Sequence, residues 1–289
     1  MSTAVMTDEN SGISREKAKE LGIFMMRMPF FINGEVKYQE TDMTVKEFYD
    51  ALDAGAEVST SQPSPGDVMD MWEGILGQGY DDIIYIPMSS GLSESCNSAK
   101  VFAEDYDGRV EIADNHRISV TMEQSVYDAL KYAKQGMNAF EIKNRLEKEA
   151  YDASIYIAVD TLAYLKKGGR ITPAAAAIGT VLNLKPVLTI QGEKLDAYAK
   201  ERGMKKARHV MIKAMQKDFE ERFAELDKQG RMRLCIAYSH VDDETLQSWI
   251  DEVNEAFPGR NLLISPLSLS IGCHIGPGAL AIAACRMEP

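Results

Sequence analysis

The amino-acid sequence predicts a two-domain α/β protein, with a mostly parallel sheet flanked by helices in its first half and an α+β domain in its second half. The chain has 289 residues, which exceeds the usual size of one domain. Hydrophobic residues make up 45% of it and charged residues 26%, the balance of a globular protein. In the first half, short β-branched or aromatic runs alternate with amphipathic helical stretches, as in a parallel sheet covered by helices.

The elements of the first half follow from this alternation. We predict strands where β-branched and aromatic residues cluster, at residues 23–32, 82–87, 109–113 and 154–159. We predict helices where apolar residues recur at helical spacing, at residues 45–54, 65–77, 95–106, 119–135 and 139–151.

The second half has a different order of elements. Residues 184–191 and 194–198 predict two strands joined by a turn at Gly192, as in an antiparallel hairpin. A charged helix is predicted at 205–229, a strand at 232–239 and a helix at 243–256, followed by apolar runs at 262–270 and 279–285. We expect the domain boundary near residues 154–160, which gives an N-terminal α/β domain at 1–157 and a C-terminal α+β domain at 158–289.

Charge and composition exclude several classes of function. The 32 Lys and Arg residues against 44 Asp and Glu residues give a net charge of −12, which repels nucleic acids and anionic lipid surfaces. We therefore expect no nucleic-acid partner and at most transient membrane contact. The sequence shows neither an apolar run of about 18 residues nor a signal-peptide pattern at its start, so we expect a cytoplasmic location.

The cysteines and histidines do not suggest a metal site. The 4 cysteines have no CxxC spacing, and we expect them to be buried, reduced thiols. No HxxxH or HxH pair offers a metal two ligands from one element. The phosphate-binding GxxxxGK[ST] pattern is also missing. We therefore expect no cofactor in this chain, and kinase chemistry would need another protein.

Two hydroxyl-rich segments of the first half are suited to bind an anion. Ser90, Gly91 and Ser93 follow a predicted strand and precede a helix, and ligands of open α/β sheets bind at such carboxyl ends. A carboxylate or phosphate would accept hydrogen bonds there. Thr60 and Ser61 lie at or just ahead of another helix start. The alternative interpretation is that the residues of this segment simply cap the helix, which applies most to Ser64.

Two segments of the second half are ambiguous by themselves. Gly168 and Gly169 predict a helix C-terminus in the left-handed region, which would orient Arg170, although an ordinary cap explains them as well. His274 lies between glycines in an apolar neighbourhood, where a lone histidine is more often a core residue than a functional one. We expect a functional role for it only if the other polar segments converge on it.

Together these segments resemble the DegV family in order and spacing, over nearly the whole chain. The resemblance rests on the motifs Thr60-Ser61-Gln62-Pro63-Ser64, Ser89-Ser90-Gly91-Leu92-Ser93, Leu165-Lys166-Lys167-Gly168-Gly169-Arg170, Leu184-Lys185-Pro186 and His274-Ile275-Gly276-Pro277-Gly278. The chain departs from the usual family pattern at Glu94, which stands where family members have glycine. This departure brings a negative charge near the expected anion site.

The resemblance implies a lipid carrier, the fatty-acid-binding subunit of bacterial fatty acid kinase. One long-chain fatty acid would lie in a buried tunnel between the domains. A separate ATP-binding kinase subunit would convert its carboxylate to acyl phosphate for phospholipid synthesis, so this chain would be no enzyme itself.

The same resemblance implies roles for particular residues. Thr60 or Ser61, Ser93 and His274 would contact the carboxylate, with the backbone amides of residues 90–92 nearby. Two arginines would serve the polar network or the kinase contact, namely Arg170 and Arg202.

Physical chemistry agrees with a lipid ligand and leaves alternatives open. Burial of about 14 methylenes at roughly 0.8 kcal/mol each contributes on the order of 10 kcal/mol before association costs. One alternative is a serine hydrolase that acts through Ser93 with His274 as its base. The others are a carrier of a different amphipathic anion and a small-molecule sensor without a kinase partner.

Overall fold

The first half of the chain is built around a parallel sheet. The structure is a computed structural model that describes residues 2–178 and 184–289. In chain order its first elements are β1 (Thr3–Asp8), α1 (Arg15–Leu21), β2 (Phe24–Met26), β3 (Phe30–Ile32), β4 (Glu35–Lys37), α2 (Val45–Asp53), β5 (Val58–Thr60), α3 (Pro65–Leu76), β6 (Asp82–Ile86), α4 (Ser95–Ala103), β7 (Val110–Ile112), α5 (Ser119–Lys134) and α6 (Ala139–Lys148).

The strands of this half form two sheets. The larger sheet has the order β2-β1-β6-β7, and all its neighbouring strands are parallel. Strand β6 is buried along its whole length, which its continuous apolar sequence predicts for a strand covered on both faces. The smaller sheet has the order β4-β3-β5 and is antiparallel, and it ends at Thr60.

The single strand predicted at residues 23–32 is wrong. The chain leaves the parallel sheet after Met26 and enters the small sheet at Phe30. Pro29 has no N–H to donate to a sheet, and the N–H of Met28 donates to the Glu9 carboxylate at 2.8 Å. These two residues therefore separate β2 from β3.

The second half is built around a mixed sheet. Its elements are β8 (Ala153–Ala158), α7 (Ala163–Gly168), α8 (Pro173–Ala176), β9 (Leu184–Ile190), β10 (Asp196–Arg202), α9 (Met204–Glu220), α10 (Ala224–Lys228), β11 (Met232–Tyr238), α11 (Asp243–Ala256), β12 (Leu263–Pro266), α12 (Leu269–Ile275) and β13 (Leu280–Arg286). The strand order is β10-β9-β8-β13-β11-β12, antiparallel except for the pair β11 and β12. The sequence-based division into domains at residue 157 stays a prediction.

The two faces of the mixed sheet pack against different helices. Along β13, Leu280 and Ile282 face a core with side chains of α9 and α11. Ala281 and Ala283 point the other way, into a core with side chains of α7, α8 and α12. Small side chains on this second face leave room next to the sheet.

The single helix predicted at residues 205–229 is also wrong, because it is divided into α9 and α10. The chain turns after Glu220, and this turn buries the ring of Phe223. The Arg222 guanidinium then donates to the Ser154 hydroxyl at 2.6 Å. All 4 cysteines are buried, as predicted. Among residues 2–178 and 184–289, no helix has the length and apolar character needed to cross a membrane.

Candidate functional site

An apolar cavity lies between the two halves of the chain. It contains about 1060 Å³ of space not filled by atoms, including its open mouth. Side chains from both halves line it. The apolar ones include Met28, Met88, Leu92, Ile118, Val120, Ile155, Ile157, Leu165, Ile190, Leu195, Ala237, Leu267, Ile271, Ile275 and Ala281. A mostly apolar lining with a few polar side chains suits a small molecule with a long apolar part.

The cavity has a polar end, formed around His274. The Thr60 hydroxyl oxygen lies 2.9 Å from Nε2 of His274. Thr60 ends β5, and His274 lies in the last turn of α12, whose first turn is capped by the Ser268 hydroxyl. The packing of α12 against β5 therefore brings these two residues together.

His274 is held in a tight, poorly solvated position. A methyl group added to Gly168 would lie only 2.1 Å from Nδ1 of His274, so the ring packs directly on the backbone of α7. Nδ1 is buried and has no hydrogen-bond partner among the described residues. Burial, with a smaller contribution from the charge of Arg170, lowers the pKa of His274 from 6.5 to about 4. The ring is therefore neutral at neutral pH.

Arg170 links the end of α7 to the loop that follows β6, at the polar end of the cavity. Its Nε donates to the carbonyl oxygen of Leu92 at 3.2 Å, and its Nη1 donates to the carbonyl oxygen of Gly168 at 2.5 Å. Helix α7 ends at Gly168, and Gly169 is its left-handed C-cap, as predicted. The cap thus directs Arg170 across to the loop that follows β6, and its side chain also lines the cavity.

The loop after β6 satisfies most of its own polar groups. The amides of Leu92 and Ser93 donate to the carbonyl oxygen of Ser89, at 3.0 and 3.1 Å. The amide of Gly91 donates to the Ser89 hydroxyl, and the amide of Ser90 donates to the Asp114 carboxylate. Ser90 and Gly91 are not among the residues that line the cavity. Three of these amides are therefore engaged within the loop, and that of Ser90 is engaged by Asp114 after β7.

Gly91 allows a close approach of backbone, as its residue type suggests. The approaching group is the turn between β9 and β10, because a methyl group on Gly91 would lie 2.9 Å from Cα of Glu193. The Ser89 hydroxyl donates to the carbonyl oxygen of Gly192 at 2.5 Å in the same turn. These contacts hold the turn between β9 and β10 against the loop that follows β6.

Ser93 lines the cavity at the start of α4. Its hydroxyl accepts a hydrogen bond from the amide of Ser95 at 3.2 Å and donates to the Ser95 hydroxyl at 3.0 Å. His274 bonds to Thr60 instead, so among the described residues no base is paired with the Ser93 hydroxyl as a hydrolase mechanism requires. Glu94 also lines the mouth, but its side chain is exposed and accepts a hydrogen bond from the Asn97 amide at 2.9 Å.

Comparison with known proteins gives matches over nearly the whole chain. The model of the DegV family, described as uncharacterised proteins, matches residues 2–287. A DegV domain-containing protein of Deinococcus radiodurans is 30% identical over 291 residues, which cover 100% of this chain and 99% of that protein. The chain belongs to the DegV family. Protein DegV of Bacillus subtilis is likewise 30% identical over 290 residues, with 99% of both chains covered.

Solved DegV structures share the whole fold. The structure of a DegV family protein from Thermus thermophilus, described as fatty acid binding, has a TM-score of 0.87 at 29% identity and covers 99% of this chain. The structure of DegV from Bacillus subtilis, described as a fatty acid binding protein, has a TM-score of 0.82 at 28% identity. The matched region covers 100% of the Thermus thermophilus chain and 99% of the Bacillus subtilis chain.

The site residues expected from the DegV resemblance lie at different places in the structure. Thr60, Ser61, Ser93, Arg170 and His274 line the cavity together. Arg202 is exposed at the end of β10 and does not line the cavity. Ser64 caps α3 by accepting from the amide of Asp67 at 3.1 Å.

Several residues that matter to this DegV cavity were not identified from the sequence. Ser119 and Ser270 line it in addition to the predicted hydroxyls. Two buried acids hold its wall, since Asp8 accepts from the amide of Met88 at 3.0 Å and Glu9 accepts from the amide of Met28. Burial raises the pKa of Asp8 to about 6 and that of Glu9 to about 7. Only the position of Asp8 at the end of an apolar strand could have indicated them.

Proposed function

We propose that this DegV protein holds one long-chain fatty acid in the cavity and presents its carboxylate to a separate ATP-dependent kinase. The observation that carries the proposal is the half-buried pair Thr60 and His274 at the polar end of a largely apolar cavity. An amphipathic acid matches this division into a long apolar wall and a small polar end. Relatives described as fatty-acid-binding proteins support the same ligand class.

The tail supplies most of the binding free energy. Each buried methylene contributes roughly 0.8 kcal/mol, so a long acyl chain binds tightly even after the cost of association. The carboxylate must accept hydrogen bonds if it is to stay ionised out of water. Hydroxyl donors at Thr60 and Ser93, the ring of His274 and the charge of Arg170 meet this need.

The polar end is also open to an incoming phosphoryl donor. Ser61, Gln62 and Glu94 line the mouth and are exposed, so the carboxylate would be reachable from outside. A kinase partner would hold ATP and Mg²⁺ and would transfer the γ-phosphoryl group to a carboxylate oxygen. In this scheme the DegV chain is a co-substrate carrier, and its side chains orient the headgroup.

A comparison of two readouts on the same variants tests this function. His274→Ala and Ser93→Ala should reduce acyl phosphate formation with a bacterial fatty acid kinase by about tenfold or more, because positioning of the carboxylate is lost. Retention of stearic acid should change much less, since the tail is untouched. His209→Ala, on the exposed surface of α9, is the matched control.

Each result bears on a separate part of the proposal. Unchanged kinase turnover in both headgroup variants would remove His274 and Ser93 from the carboxylate site. A wild-type protein that retains no fatty acid would refute the carrier function as a whole.

A further inference from the structure

Ser119 is a buried hydroxyl in the apolar wall of the cavity. The residue is only 4% exposed, and it lines the cavity beside Ile118 and Val120. Its hydroxyl oxygen has no hydrogen-bond partner among the described residues. A buried hydroxyl without a partner costs about 1 to 3 kcal/mol, so its presence calls for an explanation.

The backbone at Ser119 adds a second unusual feature. Its φ is +55°, a left-handed conformation that residues other than glycine rarely adopt. Such conformations cluster at sites that bind ligands. Ser119 is also the first residue of α5, a helix of 16 residues whose N-terminus has no side-chain cap. The first-turn amides of a helix carry partial positive charge and favour acceptor oxygens.

We infer that Ser119 is a second polar subsite within the cavity, which binds an oxygen substituent on the hydrocarbon chain of the ligand. The ligand class is a long-chain fatty acid with one hydroxyl or oxo group along its chain. This inference rests on the proposed fatty-acid function and adds specificity to it. The carboxylate end at His274 and the subsite at Ser119 would then bind two different groups of one molecule.

The chemistry of the wall favours this class over an unsubstituted chain. An unsubstituted acyl chain places methylenes against the Ser119 hydroxyl and leaves it without a partner. A hydroxyl or oxo oxygen on the chain accepts a hydrogen bond from Ser119, and a chain hydroxyl can also donate one. Ser270 is a second hydroxyl residue in the cavity lining, one turn before His274 on α12.

Measurements of Kd for several ligands and variants, on delipidated full-length protein, test the subsite. The probes are stearic acid and a series of hydroxystearic acids in which the hydroxyl is moved along the chain. The ratio of their Kd values is measured in the wild type, in Ser119→Gly and in Ser119→Ala. Glycine relieves the positive φ whereas alanine retains Cβ, so the pair separates the hydroxyl from backbone strain. Ser248→Ala on α11 removes a hydroxyl that does not line the cavity and is the control.

We expect one position of the hydroxyl to depend on Ser119. For that isomer the preference over stearic acid should fall about tenfold in both Ser119 variants, the effect of one lost buried hydrogen bond. Equal Kd ratios in the wild type and both Ser119 variants, for every isomer, would overturn the inference. The Ser119 hydroxyl would then bind only an adventitious water. Failure of stearic acid to bind the wild type would instead refute the proposed function, so the two failures are distinguishable.

Discussion

The Thr60 hydroxyl and Nε2 of His274 lie 2.9 Å apart, although 214 positions separate the two residues in the chain. Thr60 belongs to a small antiparallel sheet of the first half and His274 to a helix of the second half. Their contact lies at the polar end of a cavity whose walls also come from both halves. Loss of this contact should therefore affect the headgroup of a bound acid more than its tail.

Substitution of Gly168 by alanine tests the packing that holds the His274 ring. The added methyl group would lie 2.1 Å from Nδ1, so the ring must move away from α7 and its contact with Thr60 must change. We expect acyl phosphate formation with a fatty acid kinase to fall by about tenfold or more, because a displaced group no longer positions the carboxylate.

The matched control is Gly74→Ala in the exposed part of α3, where nothing lies within 4 Å of the added methyl group. It should leave the kinase assay unchanged and increase the free energy of unfolding by up to about 1 kcal/mol, as helix propensity predicts. Full activity of Gly168→Ala would show that the ring position does not matter.

The pKa of His274 should rise when a fatty acid binds. In the structure burial lowers it to about 4. A carboxylate next to the ring favours the protonated form, so the pKa should increase in the complex and protons should be taken up on binding. NMR titration of the histidine side chains measures this shift. The methyl ester of the same acid carries no charge, and it should produce little increase; equal shifts with acid and ester would contradict a carboxylate at His274.

We expect Ala281 to limit the volume available to the tail of a bound acid. Its side chain is on the cavity face of β13 and lines the cavity. Ala281→Leu should shift the preferred length of saturated acids to shorter chains, with a loss of roughly 0.8 kcal/mol for each methylene that no longer fits. Kd values across a series of chain lengths measure this change. Ala54→Leu, on the exposed end of α2, adds the same side chain outside the cavity and should leave the series unchanged.

The stability of the protein should depend on the ionisation of Glu9. Burial raises its pKa from 4.5 to about 7, so in this pH range the folded chain retains a proton that the unfolded chain has released. The free energy of unfolding therefore falls as the pH rises through this window, and Asp8, with a pKa raised to about 6, acts in the same direction.

Glu9→Gln removes this dependence without removing the acceptor for the amide of Met28. The variant should be more stable than the wild type above pH 7 by about 1 to 3 kcal/mol, and the difference should vanish near pH 4. Urea unfolding at a series of pH values measures it. Glu16→Gln, on the exposed face of α1, is the control. If the free energy of unfolding depended on pH in the same way in the wild type and both variants, folding would not raise the pKa of Glu9.

Local chemistry allowed much of the fold to be predicted. The cap at Ser64, the left-handed turn at Gly169 and the hairpin turn at Gly192 each depend on a few neighbouring residues, and each has a turn or cap in the structure. The predicted continuous segments at 23–32 and 205–229 failed for the opposite reason. Pro29 is a local signal for the first break, but both breaks also depend on distant partners, since Glu9 binds the amide of Met28 and Ser154 accepts from Arg222.

The candidate site was less predictable from residue patterns. Nothing in the spacing of Thr60 and His274 indicates that they meet, because their contact depends on the packing of α12 on β5; only the family resemblance suggested it. Ser119 was missed because a serine at a helix start is ordinarily a cap. Its unpartnered hydroxyl in an apolar wall becomes evident only in three dimensions.

Mass spectrometry of the lipid carried by purified protein tests the central claim most directly. The recombinant chain would be weighed intact under native conditions and then extracted, with the recovered acids quantified against protein. We predict about one long-chain fatty acid for each chain, as expected if the cavity between the two halves holds one acid. Protein that carries no acid, and that does not bind stearic acid after delipidation, would contradict the account.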